Sequence, residues 1–393
     1  MTFTDLALVS AVGILGPLLA LPKHWRLPVV LGELLAGILL GPTGTSSLHA
    51  SNPSFTLLAN IGFALVMFVA GSHVPVRDPV IIKSIRSGTM RALGIAAISI
   101  PAALAISHGF GTGHTALYAV LLSSSSAALV LPIIESLGIT DNAVVSALPQ
   151  IAVADAACIV ALPLAIDPSR AGRAALGSLA VLACATVLFF VLRYVEQRGW
   201  RHHVHDVSED HSFALELRIS LAILFALAAV ATKTHVSIML AGFSFGLALA
   251  AVGEPRRLAK QLFAITEGFL GPLFFIWLGA SLNLRDLGSH PEYIGLGVAL
   301  GAGAVVTHVA MGVTRQPVKV GMLCAAQLGV PVAAATLGTQ LHLLAPGQPA
   351  ALILGALVTI AVATLSGVAL APPGEPQPQS PPLPQQPQRS PRT

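Results

Sequence analysis

Charge is what this chain has least of. Only 10% of its 393 residues are Asp, Glu, Lys or Arg, against about 25% in an ordinary soluble domain. With 54% hydrophobic residues and a mean hydropathy of +0.81, composition excludes a soluble globular domain and implies an integral membrane protein. Cysteine is almost as scarce. Cys158, Cys184 and Cys324 lie in apolar runs with no ligand spacing, which speaks against a disulfide framework and against a metal site. The formal charge of +4 belongs to scattered loop residues, so it gives no argument for a nucleic-acid partner. No basic segment or small-residue cleavage site precedes the first apolar run, and that run is expected to be mature structure and not a signal peptide. No enzyme chemistry and no cofactor is expected.

Long apolar runs are abundant. Runs of about 20 apolar residues mark helical membrane spans, and they fall near 5–21, 27–41, 54–72, 89–107, 114–134, 143–166, 173–194, 214–232, 235–252, 265–283, 292–313, 318–340 and 347–371. The fold class expected is therefore an all-α polytopic membrane protein with about 13 transmembrane helices. Loops after odd-numbered spans hold 15 lysines and arginines, from Lys23 and Arg26 to Arg315 and Lys319, whereas loops after even-numbered spans hold 4, Arg170, Arg173, Lys233 and Arg285. The positive-inside rule then puts the odd loops in the cytoplasm. The N-terminus is expected outside and the C-terminus inside, in a cell (inner or plasma) membrane.

The chain repeats itself weakly. Leu35-Ala36-Gly37 followed by Gly41 recurs as Leu240-Ala241-Gly242 followed by Gly246, and Gly71 followed by Arg77-Asp78 recurs as Gly279 followed by Arg285-Asp286. The repeat advances by seven spans, an odd number, so the second copy is expected upside down. Inverted-topology repeats with discontinuous helices are a signature of secondary transporters. Chance matching of small residues is the alternative. The expected organisation is a transmembrane domain over 1–371, with repeat one at about 5–166, a linker helix at 173–194 and repeat two at about 214–371. A cytoplasmic loop at 195–213 and a disordered Pro- and Gln-rich tail at 372–393 complete the chain.

One carboxylate sits in the middle of the sixth span. Asp155 is flanked by Pro149-Gln150-Ile151-Ala152-Val153-Ala154 and Ala156-Ala157-Cys158-Ile159. Placing an ionised carboxylate at a bilayer centre costs roughly 2.5–3.5 kcal/mol on insertion scales, and such residues mark ion pathways and proton relays. A carboxylate withdrawn from water also keeps its proton more readily, so Asp155 is the candidate for binding either a proton or a cation.

Other polar residues in the spans have two readings each. Ser123-Ser124-Ser125-Ser126 and Pro132 interrupt the fifth span. The serines can satisfy backbone groups freed by an unwound helix and offer oxygens to a hard cation, or simply line a helix contact. In the twelfth span Gln327 precedes Leu328-Gly329-Val330-Pro331, a second candidate break in the corresponding half. Glu33 in the glycine-rich second span can pack helices or serve transport. Glu267 near the start of the tenth span can be an interfacial, solvated acid. His308, after Thr307 in the eleventh span, can switch charge near neutral pH or be a packing residue. The histidines 202, 203, 205 and 211 can bind metal or belong to a solvated loop, and the loop reading has the better support.

Together, Leu27-Pro28 through Gly32-Glu33-Leu34 to Gly41-Pro42, the stretch Gly271-Pro272-Leu273-Phe274-Phe275 to Gly279, and the membrane aspartate at 155 resemble the monovalent cation:proton antiporter family of the Kef type and its sodium/proton relatives. The resemblance covers roughly 5–371. It implies thirteen spans, an exterior N-terminus and a homodimer. It also implies two crossed broken helices, by position the fifth and twelfth spans, in a core domain that moves against a dimerisation domain. The ion-binding aspartate would be Asp155; beside the resemblance, the residues themselves offer Ser124, Ser125 and Ser126 as further ion ligands and His308 and Gln327 as gating or charge partners. The partners implied are a monovalent cation, Na⁺ or K⁺, and the proton, exchanged in the service of pH homeostasis. Three positions depart from the family pattern. Ala154 stands where Asp, Asn or Gln is usual, His308 stands at about the position of a Lys or Arg, and Gln327-Leu328-Gly329 replaces an Arg-Gly-Glu-like sequence. Two other functions fit the same fold: a proton-coupled organic-solute carrier, or a non-transporting membrane sensor whose Pro-rich tail recruits a partner.

Overall fold

A computed structural model describes residues 1–21, 29–72, 79–198, 214–234, 236–253, 256–282 and 284–371. The expected histidine-containing loop and the Pro-rich tail lie outside these residues. Among the described residues all regular structure is helical. Nine helices among the described residues are long and apolar enough to cross a membrane, three shorter apolar helices cover Phe3–Leu19, Val29–Leu40 and Ile238–Val252, and the broken fifth span makes the thirteenth. The bundle is thus the expected polytopic fold.

Several boundaries differ from the hydropathy reading, each for a local reason. The fourth helix runs over Pro79–Gly109, beyond 89–107 at its basic end, because Lys83, Arg86 and Arg91 lower hydropathy there without disfavouring helix. The tenth span is an α-helix at Arg256–Ile265, a π-turn at Thr266–Leu270 and a second α-helix at Gly271–Ser281. Pro272 lacks the N–H that would continue the α-pattern, and the Gly271 amide instead reaches the Thr266 carbonyl. The eleventh span, Glu292–Val309, tightens into a 3₁₀ turn over Ala310–Thr314.

The repeat is visible in the packing. Glycines let helix backbones approach closely in membranes. A Cβ on Gly37 would overlap the Ile276 carbonyl, one on Gly279 the Leu34 carbonyl, and one on Gly41 the Ala280 backbone, so the second span lies directly on the tenth. A Cβ on Gly242 would overlap the Ala64 carbonyl, one on Gly246 the Phe68 carbonyl, and one on Gly71 the Phe243 carbonyl, so the ninth lies directly on the third. An advance of seven spans turns the second into the ninth and the third into the tenth. The two glycine contacts are therefore one contact made twice by the two copies. Stacked Phe63–Phe274, centroids 4.6 Å apart, fixes the third span on the tenth beside them.

These helices, with the first, form one group. The fourth, fifth, sixth, eleventh, twelfth and thirteenth spans form a second, with the seventh, Ala171–Gln197, touching both. The groups meet where the ninth span touches the sixth and the third touches the second half of the fifth, and where Gly329, opening the second half of the twelfth, faces Met67 and Met239. Two cavities lie at that boundary, of about 550 Å³ and 200 Å³, and Thr336 and Gln340 line both.

Candidate ion site

The site is built where two helices stop. The fifth span is helical over Thr115–Ser123, extended at Ser124, and helical again over Ala127–Ser136. The twelfth is helical over Val318–Cys324 and again over Gly329–Gln340. A helix end inside apolar surroundings leaves carbonyls and amides without partners, and each break answers the other. Ser125 Oγ donates to the Cys324 carbonyl (2.6 Å), while the Gln327 amide donates to the carbonyls of Leu121 and Ser124, the latter at 3.2 Å. Thr307 Oγ1 donates to the Leu122 carbonyl (3.1 Å), and Thr359 Oγ1 accepts from the Gln327 backbone amide (3.2 Å).

Asp155 faces the second half of the fifth span. It is 5% exposed, and its carboxylate accepts the Ala127 backbone amide at 3.0 Å. Ala127 is the first residue of its half-helix, so the carboxylate caps an orphan N–H at the positive end of the helix dipole, a favourable place for negative charge. The four serines are all buried. Ser123 Oγ donates to the Ala119 carbonyl (2.8 Å) and lies 3.5 Å from Cys158 Sγ, and Ser124 Oγ donates to the Leu121 carbonyl (2.9 Å). These protons are spent on backbone, which leaves hydroxyl lone pairs as the groups a cation could use. Ser126 precedes the amide that holds Asp155, and its hydroxyl has no hydrogen bond among the described residues.

His308 is fully buried, with Nδ1 2.8 Å from the Ala304 carbonyl. A carbonyl only accepts, so Nδ1 carries the proton and Nε2 is a bare lone pair with no partner among the described residues. Among the described residues no ion pair joins His308 to Asp155. Glu33 and Glu267 are elsewhere, on the second and tenth spans. Glu33 is 3% exposed and Glu267 exposed, and the two acids are near enough to interact electrostatically.

The structure thus brings Asp155, the serines and Gln327 to the crossing, and leaves both glutamates outside it. Sequence reasoning passed over Thr359, Cys158 and Cys324. Cys158 carried a usable signal, being one helical turn after Asp155. Thr359 carried none that separates it from Thr364 and Ser366 in the same apolar helix.

Comparison with known proteins gives a family and a fold. The family model described as sodium/hydrogen exchanger, transmembrane, matches residues 8–373. YjbQ of Bacillus subtilis (strain 168), named for Na(+)/H(+) antiport, is 23% identical over 382 residues, covering 90% of this chain and 61% of YjbQ. The Na(+)/H(+) antiporter NhaS5 of Synechocystis is 28% identical over 288 residues, covering 72% of this chain and 39% of NhaS5. The chain therefore spans between two fifths and three fifths of the length of these relatives. The sodium proton antiporter MjNhaP1 from Methanocaldococcus jannaschii, solved at pH 8, superposes with a TM-score of 0.67 at 15% identity, covering 94% of this chain and 97% of that one.

Proposed function

The chain belongs to the sodium/hydrogen exchanger family, and from that premise we propose that it exchanges a monovalent cation, Na⁺ or K⁺, for H⁺ by competition at Asp155. The observation that carries this reading is a buried carboxylate bonded by the first amide of a half-helix, at the crossing of two broken spans. Ionised Asp155 would hold a partly dehydrated cation, with oxygens of Ser124, Ser125 and Ser126 completing its shell. Protonation would release it. Both loaded forms are close to neutral and can pass a hydrophobic barrier, whereas the empty ionised site cannot do so cheaply. That difference makes an exchanger instead of a leak. With one carboxylate and Ala154 before it, exchange is expected to be electroneutral and 1:1.

The crossing would travel with the second helix group as a core moving against the first group, an elevator motion, within a homodimer. Gln327 would hold the two breaks together, and His308, with Nε2 unbonded, would be the charge partner of the site. Glu33 and Glu267 would act outside it. The transport domain would be residues 1–371, with the basic loops in the cytoplasm. The large cavity supports a second reading: about 550 Å³ is room for a small organic molecule, so a proton-coupled organic-solute carrier is the rival.

The test is proton flux in proteoliposomes holding a pH gradient, with Na⁺, K⁺, Li⁺ or choline added separately. Wild type should collapse the gradient with Na⁺ or K⁺ and not with choline, and Asp155→Asn should lose at least a hundredfold in rate. An active Asp155→Asn variant sinks the competition mechanism. A folded wild type that answers no alkali cation between pH 6 and 9 hands the function to the organic-solute reading or to a sensor.

A further inference from the structure

The fourth span and the turn between the eleventh and twelfth meet in a cationic corner that the exchange mechanism does not use. Arg91 Nε donates to Thr314 Oγ1 at 3.1 Å, and Thr314 Oγ1 in turn donates to the Met311 carbonyl at 2.7 Å. Met311 packs against Gly94, one helical turn from Arg91. The next residue, Arg315, sits in the left-handed region at φ 64°, which is uncommon for a non-glycine residue. The turn is therefore held against the fourth span, with two guanidinium groups brought in by adjacent anchors. The terminal nitrogens of Arg91 and the whole Arg315 side chain have no hydrogen-bond or ion-pair partner among the described residues. Lys319, one turn further on, donates to the Ala369 carbonyl and meets no acid among the described residues.

The depth of this corner identifies the anion. Arg91 lies eighteen residues before the end of its helix at Gly109, about 27 Å at 1.5 Å per residue, close to the ~30 Å thickness of a bilayer's hydrocarbon core. If Gly109 marks one boundary, half-buried Arg91 falls at the headgroup level of the other. The surroundings are those of lipid: Val313 is 85% exposed, Met90 64%, Leu93 59% and Val318 52%. Arginine forks match phosphate oxygens in geometry and charge, and basic pockets between membrane helices bind lipid headgroups. We propose that Arg91 and Arg315 bind the phosphate of an anionic glycerophospholipid, with its acyl chains along Met90, Leu93, Val313 and Val318.

The corner is also wired to the crossing. Gln316 follows Arg315, is 4% exposed, and donates from its amide to Gln150 Oε1 of the sixth span at 3.0 Å. The helix that starts two residues later, Val318–Cys324, ends at the residue whose carbonyl accepts from Ser125. Bound lipid would fix the first half of the twelfth span, and lipid-dependent exchange follows if the exchange reading is right.

The binding test is independent of transport. The full chain in detergent is melted with added phosphatidylglycerol, with phosphatidylcholine, and with soluble glycerol 1-phosphate or inorganic phosphate; lipid retained by the protein is weighed by native mass spectrometry. Phosphatidylglycerol should raise the melting temperature and be retained by wild type, by Arg193→Gln (another exposed cation of the basic end) and by Asp155→Asn. Arg91→Gln with Arg315→Gln should lose most of both signals. Should that double variant fold poorly, Arg315→Gln alone, at a side chain with no partner among the described residues, should lower lipid retention several-fold. The proposal is overturned if the arginine variants keep the wild-type response, if Arg193→Gln loses as much, or if glycerol phosphate or inorganic phosphate alone gives the full shift. Loss of exchange in Asp155→Asn with its lipid signal intact would show the two readings standing separately.

Discussion

Leu121, Leu122 and Ser124 end a helix in apolar surroundings, and side chains from other spans answer their carbonyls. Gln327 serves Leu121 and Ser124, and Thr307 serves Leu122. A buried polar group stripped of its partner costs about 1–3 kcal/mol. Gln327→Leu keeps much of the volume and strips two carbonyls, so it should destabilise the protein by on the order of 2–4 kcal/mol and lower its melting temperature in detergent. Thr359→Val deprives one backbone amide of its acceptor and should cost less, about 1 kcal/mol. If both variants melt like wild type, the crossing is not held by these bonds. The serines and Asp155 were legible in the sequence because polar side chains stand out against an apolar background. Thr359 was not, since helical position alone does not say which hydroxyl faces a break. Nor was the role of Ala127, which acts through its backbone amide and leaves no mark in the sequence.

At the scale of helices, the glycine contacts give a sharper test of the repeat than matching letters do. If Gly37 on the second span and Gly242 on the ninth make the same contact, equal changes should have equal effects. Each would place a Cβ against a backbone carbonyl, which cannot swing aside as a side chain can. Gly37→Ala and Gly242→Ala should each destabilise by about 1–3 kcal/mol, the range for overpacking. Gly172→Ala, on the seventh span with nothing near its would-be Cβ, should change stability by no more than about 0.5 kcal/mol. Melting curves of the three decide it, and a neutral Gly242→Ala beside a damaging Gly37→Ala would break the equivalence. The sequence carried the existence of the repeat through Gly37, Gly41, Gly71, Gly242, Gly246 and Gly279. It did not carry the partners, because small residues permit close approach to any helix and only the folded bundle selects which. The π-turn at Thr266–Leu270 was illegible for a related reason: Gly271-Pro272 announces a disturbed helix without saying whether it kinks, stops or widens.

For the whole molecule, the thirteen spans were legible because each is an apolar run with little stable charge; the broken fifth reaches membrane length when its halves are added, and the first, second and ninth stay recognisable although their described helices are shorter. The sidedness rests on loop charge, and the cavities give it a physical consequence. Both are lined by Thr336 and Gln340 at the end of the twelfth span, the end away from Arg91, Gln316 and the other basic loop residues. If the basic end is cytoplasmic, a cysteine at 340 is reachable from outside and one at 198, an exposed position closing the seventh span, is not. The background needs Cys184→Ser, since that thiol is exposed while Cys158 and Cys324 are buried. A membrane-impermeant maleimide applied to intact cells should then label Gln340→Cys and leave Arg198→Cys untouched until the membrane is permeabilised. The opposite pattern would invert the molecule, move the lipid corner to the outer leaflet, and require the 15-to-4 bias of the loop cations to have a cause other than insertion. Equal labelling of both positions in sealed cells would mean that the two ends are not separated by the bilayer, and no arrangement of thirteen spans would survive that result.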